Sequence, residues 1–343
     1  IQNHSKWKFI TENTSHWSVN DVPVSLYATE LIFNESAFSL SGSRVSYGEY
    51  LDSEVTGYYD ILKKQGLLLL EKLSVKDKKI GTLLGSKQGV WIEISQLEEE
   101  LLAKIPELEL TITAGKSGLW SATFSDLEKL HDRSPLLQRY KVDSCNVTVW
   151  SPNGEKPFYF SAVIPYGYPI LIKDGKKVDR LLISGTITDH GFEGMVNESL
   201  QLNYTDTLAI TSKDIQYNIP AIKNLLKDQP VLREEDDTGN PGLKLSFRAE
   251  NSSLVFTDKI QALADEIHLD HAGGKTVGHL HHGPGSIELS YTDGQFSLEG
   301  HDLNDEFMGG LLRGGGCING RMSLAAQGTP YMATALFKVD DTV

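Results

Sequence analysis

The stretch SIELSYTDGQFSLEG, residues 286–300, constrains the fold of this chain more than any other feature. Asp293-Gly294 is the dipeptide best able to place two consecutive residues at positive φ, as a two-residue type I′ hairpin turn requires. A turn there pairs Thr292 with Gln295, Tyr291 with Phe296 and Leu289 with Leu298. Side chains alternate between faces along a strand, so these four apolar residues share one side of the hairpin. Ser290, Ser297, Glu288 and Glu299 take the other, with the two glutamates opposite each other on a surface that must be wet. The unit is a half-buried antiparallel hairpin.

The same device recurs. Leu31 and Phe33 lead through Asn34-Glu35-Ser36-Ala37 to Phe38 and Leu40, Ile187 leads through Thr188-Asp189-His190-Gly191 to Phe192, and Tyr204 leads through Thr205-Asp206-Thr207 to Leu208. Further turns fall at Asn153-Gly154 and Asp174-Gly175, and Arg248 to Ser253 reads as a link from Leu243, Leu245 and Phe247 to Leu254 and Phe256. Short strands at roughly ten-residue spacing, each followed by a polar turn, predict an antiparallel all-β meander. Helical signals are short: QLEEELLAK (96–104) before Pro106, SDLEKLHDR (125–133) before Pro135, and AIKNLLK (221–227) after Pro220. None supports a parallel α/β fold.

A long one-sided sheet must bury its apolar face against something, and these helices are too few to cover it. The expected fold is therefore all-β with a few short helices, an elongated antiparallel meander sheet that is curled into a groove or folded as a sandwich. Charge, Pro and Gly cluster in KDQPVLREEDDTGNPG (227–242), which suggests segments 1–140, 141–230 and 231–343, or one continuous sheet.

Charge narrows the partners. The 343 residues carry 32 Lys plus Arg against 46 Asp plus Glu, a net −14, with no basic strip. Nucleic-acid backbones and anionic bilayer surfaces are poor direct partners for such a chain. The longest apolar run, Leu67 to Leu70, cannot span a membrane, and no signal peptide is visible. Cys145 and Cys317 read as buried thiols in preference to a disulfide. Seven Asn-x-Ser/Thr sequons occur, at Asn3, Asn13, Asn34, Asn146, Asn197, Asn203 and Asn251, a pattern that polar strand faces also generate by chance.

Chemistry-bearing motifs are scarce. IHLDHAGGKTVGHLHHG holds five of the ten histidines. Alternation puts His279 and His281 on one face, with His268 on the preceding strand, a spacing suited to a metal such as zinc. It lacks HExxH and a carboxylate placed as a base, and such a cluster in a Gly-rich turn is more often a solvated loop. Gly273-Gly274-Lys275-Thr276 lacks the first glycine of a phosphate loop, Leu269 standing there, and GGLLRGGGCING (309–320) lacks GxGxxG spacing. There is no GxSxG and no recognisable Ser/His/Asp or Cys/His order, so the expectation is a protein that is not an enzyme and needs no cofactor.

The C-terminal part carries a resemblance. GSIELSYTDGQFSLEGHDL followed by GGLLRGGGCINGRMSLAAQGTPYMATALFKVDDTV resembles the C-terminal part of AsmA-like proteins of the bacterial envelope. LLISGTITDHGFEG and LAITSKDIQYNIPAIKNLL are similar to that family's strand pair followed by a short helix, so the likeness covers about residues 180–343. It implies a periplasmic protein, held in the inner membrane by an anchor absent from this chain, that conducts phospholipid along an apolar β-groove toward the outer membrane. The groove residues it implies are Leu243, Leu245, Phe247, Phe256, Leu289, Tyr291, Phe296 and Leu298. Acyl chains would gain about 0.8 kcal/mol per methylene buried there.

Two other classes stay open. A closed β-sandwich adhesion or carbohydrate-binding module would expose an aromatic platform among Trp7, Trp17, Trp91, Trp120 and Trp150. A metal-dependent enzyme would need the histidines to converge with Asp265, Glu266 or Asp270.

Overall fold

A computed structural model describes residues 7–11, 14–19, 22–27, 29–77, 81–85, 89–131, 133–134, 138, 144–164, 169–226, 244–257, 260–292, 294–304, 322–329 and 332–339. Among them are 28 strands and two short α-helices, so the chain is all-β as its turn spacing predicts. Two compact units divide it, residues 1–162 and 163–343.

The first unit holds β1 (Trp7–Thr11), β2 (Ser15–Val19), β3 (Val22–Tyr27), β4 (Thr29–Phe33), β5 (Ala37–Tyr47), β6 (Leu51–Asp60) and β7 (Gln65–Asp77). It continues with β8 (Gly81–Gly85), β9 (Val90–Leu97), β10 (Glu100–Ile105), β11 (Leu110–Gly115), β12 (Trp120–Phe124), helix α1 (Glu128–His131) and β13 (Asn146–Ser151). β14 (Phe158–Ile164) crosses the boundary. The pairings described here are all antiparallel. The long strand β5 accepts β4 along one half and β3 along the other, with a break in register between Leu40 and Ser43 where Gly42 takes φ 63°.

The second unit holds β15 (Leu171–Lys173), β16 (Lys176–Val178), β17 (Leu181–Ile187), β18 (Phe192–Val196), β19 (Leu200–Tyr204), β20 (Leu208–Lys213), β21 (Gln216–Asn218) and α2 (Ile219–Leu226). Then come β22 (Leu245–Thr257), β23 (Ile260–Ala272), β24 (Lys275–His282), β25 (Gly285–Thr292), β26 (Gln295–Leu303), β27 (Met322–Thr329) and β28 (Met332–Val339). β20 and β21 both run parallel to β22, so the chain crosses over between them by way of α2, and the remaining described pairs in this unit are antiparallel. Parallel neighbours need such a crossover, which a pure meander does not.

Three expectations are corrected. QLEEELLAK is not a helix: β9 ends at Leu97, Glu98 turns the chain at φ 54°, and β10 follows. Glu, Leu, Ala and Lys favour helix in isolation, but Leu101 and Ala103 alternate and are paired on both sides, with Gln96 and Ile94 and with Ala114 and Ile112. SDLEKLHDR keeps only the single turn of α1, whereas AIKNLLK does lie largely within α2. Arg248 to Ser253 is no hairpin link but the middle of one thirteen-residue strand, β22. There the alternation slips: Asn251 is left-handed at φ 46°, and exposed Asp265 and Glu266 stand consecutively on the facing strand. Because of that slip Ala249 and Leu254 on β22, and Ile267 and Ala264 on β23, all reach the same buried cluster.

Candidate functional site

Residues paired directly across neighbouring strands point to the same side of a sheet. Following those partners through the second unit gives one unbroken row across ten strands: Ile187, Phe192, Tyr204, Leu208, Leu245, His271, Thr276, Tyr291, Phe296 and Gly328. A second row, two residues along each strand, reads Gly185, Gly194, Leu202, Ile210, Phe247, Leu269, Gly278, Leu289, Leu298 and Ala326. A third begins at Ile183 and passes through Val196, Leu200, Ser212, Ala249, Ile267, Leu280, Ile287 and Gly300 to Leu324.

No Asp, Glu, Lys or Arg occupies any of these positions. Three of the polar ones are satisfied locally: His271 Nδ1 and Thr276 Oγ1 hydrogen-bond at 2.8 Å, and the Ser212 hydroxyl bonds the Tyr217 hydroxyl. Ten strands at about 4.8 Å spacing make each row about 43 Å long, more than the roughly 30 Å hydrocarbon core of a bilayer.

The third row is buried at Val196, Leu200, Ala249, Ile267 and Gly300 and half-buried at its other five positions. Leu171, Leu181, Ile215 and Tyr217 pack with Val196, Leu200, Ala249 and Ile267, and Ile219 and Ile222 of α2 close over them. Tyr217 meets Phe247 edge-on with ring centroids 5.4 Å apart, and burial pushes its hydroxyl pKa up to about 12. In the first two rows His271 is buried and every other residue is half-buried.

The first unit repeats the design. Its row crosses ten strands through Trp7, Phe33, Phe38, Tyr59, Gly66, Ile94, Ala103, Ile112, Ala122 and Val149, without a charged side chain. A buried cluster of Leu73, Leu84, Val90, Ile105 and Leu108 seals one part of this unit. Trp7, Phe33 and Phe38 remain exposed.

Among the residues predicted for a groove, Leu245, Phe247, Leu289, Tyr291, Phe296 and Leu298 lie on the apolar face of the second unit, in its first two rows. Phe256 lies beyond the slip at Asn251 and is exposed, and Leu243 lies outside the described residues. Sequence reading missed the contribution of β17 to β20 and the whole row of the first unit. The signal was there in the alternation of Ile183, Gly185 and Ile187, but glycines break a count of apolar residues.

His268, His279 and His281 occupy the opposite, polar side, whereas His271 stands in the first apolar row and His282 shares the side of Leu280. His268 pairs directly with His279, and the His279 and His281 rings stack with centroids 6.4 Å apart. His268 Nε2 stands 3.0 Å from Asp270 Oδ2, an ion-pair distance without hydrogen-bond alignment, and His282 Nδ1 bonds Asp265 at 2.9 Å. Asp270 is held below the usual carboxylate range first by the Ser246 hydroxyl, and Asp265 first by the Gly283 N–H and then by His282. Among the described residues no three His, Cys, Asp or Glu side chains converge as a metal requires.

The tryptophans do not form one platform. Trp7 and Trp120 belong to the apolar side of the first unit, while Trp91 pairs with Leu69 and Trp150 with Ser121 on the other side. The Trp17 side chain lies outside the described residues. A cleft of about 770 Å³ on the polar side of the second unit is lined by Lys173, Asp174, Glu198, Gln201, Lys213 and Glu250 among others, with no aromatic ring. Cys145 is buried, and Cys317 lies outside the described residues. No described helix is long and apolar enough to cross a membrane. No protein-family profile, curated protein or solved structure matches the chain.

Proposed function

We propose that this is a non-enzymatic envelope protein whose apolar sheet faces bind acyl chains and conduct phospholipid between the inner and outer membranes. The observation that carries this reading is the pair of half-buried apolar rows in the second unit, which cross ten strands without a charged side chain. An ordinary sandwich core would bury such rows as completely as the third row is buried at Val196 and Ile267. Acyl methylenes laid on the rows gain about 0.8 kcal/mol each, and the uniform surface lets a chain slide without meeting a desolvation barrier. The periplasmic setting and the anchor are what the resemblance to AsmA-like proteins implies.

The test is organic extraction of the purified protein followed by mass spectrometry. Stoichiometric phospholipid is expected, and the double variant Phe296→Asp/Leu298→Asp is expected to lose it while Ser297→Asp, on the opposite side of the same strand, keeps it. A lipid-free extract from the native protein, or equal retention by both variants with circular dichroism unchanged, contradicts the reading.

A further inference from the structure

The strand ends of the first unit are finished in two ways. At one end, where the turn from β10 to β11 carries Leu108, the side chains of Leu73, Leu84, Val90, Ile105 and Leu108 bury one another. At the other end lie residues 61–64 between β6 and β7, 98–99 between β9 and β10, and 116–119 between β11 and β12. Pairing sets these turns side by side: Gln65 faces Ser95, the Gln96 N–H donates to the Lys64 carbonyl, and Glu100 faces Gly115.

Each of these turns carries or borders an exposed leucine. Leu62 is 79%, Leu97 63% and Leu119 45% exposed, and Ile61 stands exposed beside Leu62. The turns recur every two strands, so the tips are spaced about 10 Å apart. Charges of both signs surround them. Lys63 reaches Asp60 at 3.5 Å and Lys116 reaches Glu99 at 3.0 Å, while Lys64, Glu98 and Glu100 are exposed nearby. The signs nearly balance, so this end presents apolar tips in a mixed, almost neutral collar.

We infer that this end of the first unit docks on a zwitterionic phospholipid bilayer, with Leu62, Leu97 and Leu119 dipping into the headgroup layer. Separate convex tips gain little from a protein surface unless it holds a matching hole for each, whereas lipid closes around every one of them. The collar matches headgroups that carry both signs, its lysines meeting phosphate and its carboxylates meeting ammonium. An anionic surface would instead oppose the chain's net charge of −14. The apolar row of this unit runs no more than three residues from the same strand ends on β6, β7 and β9 to β12. The inference rests on the proposed lipid function, since it names the place where bilayer lipid reaches that row.

Flotation with phosphatidylcholine vesicles tests it. The native chain is expected to float with the vesicles, and Leu62→Asp/Leu97→Asp to partition at least about tenfold less with circular dichroism unchanged. Leu182→Asp, at a comparably exposed leucine of the second unit, is expected to float like the native chain. On the native chain, vesicles are expected to slow hydrogen exchange at 61–64, 98–99 and 116–119 and to leave the buried-end turn 106–109 unchanged. A native chain that does not float overturns the inference, and so does equal flotation of all three proteins or slowed exchange at 106–109 alone. Organic extraction separates this inference from the lipid function. Co-purified phospholipid without flotation overturns the docking alone, whereas flotation lost at the tips with a lipid-free native extract upholds the docking and overturns the lipid function.

Discussion

The two units carry the same apolar row on different supports. In the first, ten antiparallel strands place Trp7 through Val149 in line, with β1 reaching β4 past β2 and β3 and β7 reaching β9 past β8. In the second, β20 and β21 run parallel to β22, and the crossover brings Tyr217 and α2 over the third row. The result is a difference in cover: Trp7, Phe33 and Phe38 are exposed in the first row, while no residue of the three rows in the second unit is. Antiparallel pairing alone thus builds an apolar face in the first unit, and in the second the parallel crossover accompanies its deeper cover.

The largest effect that can separate the units comes from Gly185→Val. A Cβ there would collide with the Glu193 carbonyl oxygen and with Gly194, both backbone. The expected cost is about 4 kcal/mol or more, above the ordinary overpacking range of roughly 1–3 kcal/mol. Hydrogen exchange should then show the second unit opening while the first keeps its protection. Equal loss in both would mean that they fold as one cooperative body.

Truncating the seals sharpens the same comparison. Leu108→Ala in the first unit and Leu200→Ala in the second each remove a buried side chain, at an expected cost of about 2–4 kcal/mol. Each should lower protection in its own unit, as read by urea unfolding with exchange.

The smallest effect is confined to the second unit. Tyr217 is kept neutral by burial, so at pH between about 10 and about 12 the unfolded chain ionises this group while the folded chain does not. Its contribution is complete below pH 10 and is lost as pH rises toward 12, about 2–3 kcal/mol in all. Tyr217→Phe should flatten that part of the stability–pH curve, at a constant cost of about 1 kcal/mol for the lost bond to Ser212. An unchanged alkaline slope would contradict the buried placement.

Much of the fold was legible because it is local. The register of β25 with β26, including Glu288 opposite Glu299, follows from Asp293-Gly294 and alternation alone, and the structure reproduces it pair for pair. β10 was not legible because its residue types favour helix and only pairing on both sides makes it a strand. The slip at Asn251 was not legible either, since one left-handed residue mimics a turn in the sequence yet leaves the strand intact. For the candidate site, Leu289, Tyr291, Phe296 and Leu298 could be found from one hairpin. The parallel pairing that joins Ile210 to Phe247, and so joins two hairpin series into one row, has no sequence signature at short range.

The central claim is that lipid travels on one side of the sheet. A photoreactive benzoyl-phenylalanine placed at Leu289, or at its neighbour Ser290 on the opposite side, reads this directly after irradiation in native membranes. The account predicts lipid adducts at position 289 and none at 290. Adducts at both positions in equal yield, or at 290 alone, would contradict it.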